Sequence, residues 1–95
     1  MMNRRMKPVH PGEILREDIL KEMNLTITVA AQGLGVSRKH LSAILNEQVS
    51  ITAEMAVRLE QAFGVEAGFW LDLQKKYDIW KVQKEGKIHV ARIRA

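Results

Sequence analysis

Cysteine is absent from this sequence, which excludes disulfide frameworks, thiol catalysis and cysteine-based zinc sites together and fits a reducing compartment. Proline and glycine are sparse, at 2 and 6 of 95 residues, too few for a fibrous or low-complexity chain. No run approaches the roughly 20 consecutive apolar residues that a membrane span needs. The basic start, residues 1–8, leads into no apolar segment, which argues against a secretory signal. What is left, 46% apolar and 27% charged, is the composition of one globular domain. Without staples, a chain this short buries its apolar side chains most readily in short helices in local contact.

Acidic residues are also missing where it matters. Fifteen basic against eleven acidic residues give a formal +4, but residues 1–12 carry Arg4, Arg5 and Lys7 and no acid. Residues 81–95 carry five basic residues against Glu85 alone, and the body between, 13–80, nets −3 from seven basic and ten acidic residues. Within that acidic body no carboxylate occurs between Glu22 and Glu47, and Arg38, Lys39 and His40 stand side by side in the gap. A basic island and two basic tails on an acidic body point to a polyanion met by one face; solvated tails alone are the plainer reading.

Apolar periodicity divides the chain into five helices. In the first, residues 11–23, Ile14, Leu15, Ile19, Leu20 and Met23 form one face, with Pro11 and Glu13 suited to its start. Thr26 is placed to cap a second helix that runs to Leu34 and stops at Gly35. Ser37 caps a third, over 38–45, with Leu41, Ile44 and Leu45 inward. Thr52 caps a fourth, in which Met55, Ala56, Leu59, Ala62 and Phe63 recur until Gly64. A fifth, about 67–84, carries Phe69, Trp70, Leu73, Tyr77 and Trp80 on one side. The remainder is compatible with a short strand or a disordered tail. The expected class is all-α.

The segment 25–45 carries the function. Two helices joined by a three- or four-residue turn cross steeply, and Ala31 admits the close approach while Gly35 supplies the positive φ. The helix after Ser37 then projects Arg38, Lys39, Ser42 and Ala43 outward, with His40 beside them. That is the layout of a helix-turn-helix whose second helix enters the major groove. Arg and Lys suit guanine O6/N7, hydroxyls meet bases or phosphates, and the helix N-terminus offers free N–H groups to a phosphate. An ordinary two-helix corner with solvated polar side chains is the bland alternative.

Around that segment, His10-Pro11-Gly12-Glu13-Ile14-Leu15-Arg16-Glu17 resembles the opening of HigA-type antitoxins, VapI-like proteins of the XRE helix-turn-helix class. Ile51-Thr52-Ala53-Glu54-Met55-Ala56-Val57-Arg58-Leu59, and Phe69-Trp70-Leu71-Asp72-Leu73-Gln74 with Tyr77-Asp78-Ile79-Trp80, resemble later signatures of the family in the same register. The resemblance covers roughly residues 8–82. It implies a five-helix, lambda-repressor-like, cytoplasmic and dimeric DNA-binding domain over 10–84, flanked by a basic arm (1–9) and a basic tail (85–95). It also implies a repressor of its own operon that binds a HigB toxin, a RelE-like mRNA interferase. Carried over, groove-reading positions fall on Ser37, Arg38, Lys39, His40, Ser42 and Ala43, and backbone-contacting positions on Thr28, Asn46 and Gln48. The chain departs from the family pattern at four positions. Ile27 stands where a polar phosphate clamp is frequent, and Ala43 where a longer side chain often reads a base. Gly33 replaces a charged helix residue, which weakens that helix by up to ~1 kcal/mol relative to Ala. Glu47 replaces the frequent Gly after the recognition helix and brings a negative charge near the phosphate path.

Other chemistries find no footing. The three histidines have no partner at metal-ligand spacing, no Ser-His-Asp set or phosphate-binding glycine loop is present, and neither catalytic residue, metal nor cofactor is nominated. His10 reads as the seat of the first helix. Phe69, Trp70, Tyr77 and Trp80 read as core or dimer seam, because one small protomer cannot easily bury all four. The expected partners are operator DNA, a HigB-like toxin and a second copy of the chain, with no membrane. A stand-alone XRE-type regulator, and a helical interaction module that never touches DNA, are the competing readings.

Overall fold

The computed structural model describes residues 6–94; Arg4 and Arg5 of the basic arm lie outside them. Five helices follow one another. α1 begins as an α-helix over Pro11–Ile14 and runs on as a π-helix over Leu15–Leu20. α2 spans Ile27–Leu34, α3 Arg38–Leu45, α4 Ala53–Phe63 and α5 Ala67–Glu85. Among the described residues there is no strand, and the tail beyond Gly86 is neither helix nor sheet.

Local chemistry sets most of the boundaries. The hydroxyls of Thr26, Ser37 and Thr52 each accept from the amide three residues on, at 3.1, 3.0 and 3.2 Å, satisfying an otherwise orphaned N–H. Gly35 and Gly64 then close α2 and α4 in the left-handed region. At the head of α1, Nδ1 of buried His10 accepts from the Gly12 amide at 2.9 Å.

Leu15, Leu20, Ala30, Ala31, Leu34, Leu41, Ile44, Leu45, Ile51, Met55, Ala56, Leu59 and Trp70 form one core to which every helix contributes. Three polar side chains tie the helices together across it. Arg16 donates to the carbonyl of Leu45, the last residue of α3. Arg58 donates from α4 to the Leu34 carbonyl at the end of α2, at 2.9 Å. Buried Gln74 accepts from the Ile51 amide at 2.8 Å and donates to Asp78 at 2.9 Å.

The periodic reading needs three corrections. Met23 is 55% exposed, because the wider π turns use up residues faster than a 3.6-residue period and leave 23 in the turn beyond α1. Ala62 is exposed on the flank of α4, off the Met55–Ala56–Leu59 stripe. Phe69 is 42% exposed, because α5 buries the face of Trp70 and Gln74 instead.

Candidate nucleic-acid interface

The turn between α2 and α3 is built by Gly35, at φ 71° and ψ 30°, with the Val36 amide donating back to the Ala31 carbonyl at 3.0 Å. Arg58 Nη1 fills the space that a Cβ at Gly35 would take. Ser37 then starts α3, and the buried face of Leu41, Ile44 and Leu45 fixes which side chains are left outside. Arg38, Lys39 and His40 are exposed, while Ser42 and Ala43 are half-buried between them and the core.

Arg38, Lys39, Ser42, Ala43 and Gln48 line a single shallow concavity, so five of the nine expected DNA-contacting residues come together. Asn46 stands at its edge, with Nδ2 3.5 Å from the Ser42 hydroxyl. Ser37 and His40 are joined by the cap at the start of the same helix. Thr28 is exposed in the first turn of α2, outside the concavity. Ile27, at the first position of α2, packs against the core, which accounts for an apolar residue there.

The two cations of the concavity are unpaired among the described residues: neither Arg38 nor Lys39 has a carboxylate within ion-pair reach. Glu47, the nearest acid in sequence, adopts φ 60° and has Oε1 3.9 Å from Nζ of Lys7. That contact and the Arg16–Leu45 bond are the parts of the site that sequence reasoning missed. Lys7 entered only as a tail charge, and Arg16 lies 29 residues from its acceptor, a separation with no spacing signature.

The aromatic residues of α5 differ in burial within the protomer. Trp70 is fully buried, and Phe69 meets it edge-on at 5.5 Å. Tyr77 packs edge-on against His10 at 4.8 Å and leans on half-buried Trp80 at 5.7 Å. Among the described residues no group of three or more His, Asp or Glu could hold a metal ion, and no helix is long and apolar enough to cross a membrane.

A helix-turn-helix family model matches residues 17–70, from the middle of α1 to Trp70. The chain belongs to the helix-turn-helix family. It is 42% identical to virulence-associated protein I of Dichelobacter nodosus over 80 residues, 84% of this chain and 74% of that protein. It is 34% identical to antitoxin HigA-1 of Vibrio cholerae over 91 residues, 92% of this chain and 86% of that one. The Pseudomonas aeruginosa antitoxin HigA, solved with the higBA promoter, superposes with a TM-score of 0.77 at 36% identity, covering 90% of this chain and 99% of its own. The likeness to HigA and VapI proteins therefore runs through all five helices of this helix-turn-helix protein, and the family is one of DNA-binding regulators rather than of enzymes.

Proposed function

We propose that the chain is a sequence-specific DNA-binding repressor and the antitoxin of a type II toxin–antitoxin pair. In this reading it binds its own operator as a cytoplasmic homodimer, neutralises a HigB-like, RelE-type mRNA interferase and catalyses nothing itself. The observation that carries it is the exposed Arg38–Lys39 pair, unpaired among the described residues, at the capped start of α3, above a concavity floored by Ser42 and Ala43. A helix N-terminus bearing two free cations attracts phosphate, and its side chains reach the guanine edge. The relative solved with promoter DNA supports the same use of the fold.

Ser37, Arg38, Lys39, His40, Ser42 and Ala43 face the major groove, while Thr28, Asn46 and Gln48 meet the backbone. Residues 10–84 form the DNA-binding and dimerisation unit, with a basic arm (1–9) and a basic tail (85–95). The test is retardation of the DNA upstream of its own reading frame, with and without the adjacent gene product, across a salt series. Log K should fall with log salt at about −0.9 per neutralised phosphate, and Arg38→Ala/Lys39→Ala should lose binding at unchanged melting temperature. A double variant that binds like the wild type would remove α3 as the reading helix.

A further inference from the structure

A second basic concavity lies outside the helix-turn-helix. Lys7, Tyr77, Trp80, Lys81, Lys84 and Glu85 line a groove between the segment preceding α1 and the outer half of α5. Its floor is aromatic and its rim cationic. The ammonium of Lys7 stands over the Tyr77 ring, 5.8 Å from its centre, and that of Lys84 over the Trp80 ring at 5.0 Å. Three ammonium groups face one carboxylate, Glu85. Among the described residues neither Lys81 nor Lys84 has an ion-pair partner, and the Lys7–Glu47 contact is long at 3.9 Å.

Position decides what such a groove would hold. Lys7 touches Glu47, whose neighbour Gln48 lines the concavity of α3, so the two basic surfaces are joined edge to edge. Beyond the groove the tail adds exposed Lys87, Arg92 and Arg94 with no further acid. A backbone leaving the recognition helix past Gln48 first meets the negative charge of Glu47, where Lys7 already stands to offset it. Next come Lys81 and Lys84, the latter with its ammonium over the Trp80 ring.

We propose that this groove is a second seat for the DNA backbone, engaging phosphates flanking the operator half-site and widening the footprint without reading sequence. The inference rests on the DNA-binding reading above and adds a surface to it. Lys7, Lys81 and Lys84 supply affinity that depends on salt and on the length of the duplex.

The experiment compares two duplexes, the operator extended by about one helical turn on each side and the same operator trimmed flush. The protein is the full chain, wild type or Lys7→Gln/Lys81→Gln/Lys84→Gln. The triple variant should bind the extended duplex more weakly, with a salt slope shallower by up to about 2.7, and should match the wild type on the trimmed one. Lys81→Gln alone, at a side chain with no ring or carboxylate partner, should lose about 0.9 of that slope and guards against misfolding of the triple variant. Arg38→Ala/Lys39→Ala should lose both duplexes. An unchanged slope on the extended duplex, beside loss of binding in the α3 variant, would overturn the groove and leave the recognition helix standing. Wild-type protein that retards neither duplex would overturn both. A triple variant that changes sedimentation mass instead of slope, or loses the adjacent gene product at unchanged slope, would assign the groove to a protein surface and overturn the proposal.

Discussion

Gly12 lies directly on the backbone of Ile44, so close that a Cβ at position 12 would run into the Ile44 carbonyl. The first turn of α1 thereby presses on the last turn of α3, and only a residue without a side chain fits between them. Gly12→Ala should destabilise the fold by ~1–3 kcal/mol through overpacking, and backbone displacement should also tilt α3 and weaken operator binding. Urea unfolding and promoter retardation of the same variant check both effects. Unaltered stability would mean that α1 and α3 are further apart than this packing requires.

His10 couples that contact to pH. Burial holds the imidazole below its ordinary value of 6.5, against the opposing pull of Glu47 and Asp78, with Lys7 adding to the depression. The ring accepts from Gly12 through Nδ1, so the neutral form carries its proton on Nε2 and the cap is lost when Nδ1 is protonated. As pH falls below about 6.5 the unfolded chain takes up the proton first. The stabilisation from the neutral ring is therefore complete above 6.5 and declines from there down to the depressed folded value, where the loss levels off. His10→Asn keeps a capping acceptor without the titration, and its melting temperature should stay flat through that window while the wild type falls. Parallel pH profiles would dissociate His10 from the acid sensitivity.

The Gly12–Ile44 contact also marks where sequence reasoning stops. Thr26, Ser37 and Thr52 are legible as caps because the acceptor and its amide are three residues apart, and Gly35 is legible because it follows an apolar helix face. Arg38, Lys39 and His40 stand out because no acid interrupts them. Gly12 against Ile44, Arg16 on Leu45 and Gln74 on Ile51 join residues more than twenty positions apart, and nothing in either local segment announces its partner. Met23 and Phe69 mislead because periodicity assumes a uniform α-helix with one buried face. The π stretch of α1 breaks the first assumption, and the turn of α5 toward Trp70 and Gln74 breaks the second.

Glu47 sits at φ 60°, a left-handed conformation that costs a residue with a side chain ~1 kcal/mol more than glycine. Its compensation is the long, partly exposed pair with Lys7, worth ~0–1 kcal/mol. Glu47→Gly should leave stability unchanged or raise it slightly, because the relieved strain outweighs the lost pair. It should also tighten operator binding at low salt, by removing a negative charge beside the concavity and freeing Lys7. The gain should fade as salt rises. Weaker binding at low salt would show instead that the Glu47 carboxylate orders Lys7 productively.

Trp70 and Phe69 are adjacent in sequence and meet edge-on, yet they face different fates. Trp70 is wholly buried against the protomer's own core, so Trp70→Ala should cost ~3–5 kcal/mol whatever the protein concentration. Phe69 is 42% exposed and meets Trp70 edge-on, which leaves its outer face available to a second copy. Phe69→Ala should hardly move unfolding of the isolated protomer but should shift sedimentation toward monomer and make melting depend more steeply on concentration. Since half-site spacing on a duplex is set by the pair and not by either protomer, the same variant should bind a full operator worse while binding a single half-site normally. A Phe69→Ala protein of dimer mass with wild-type operator affinity would place the subunit contact elsewhere.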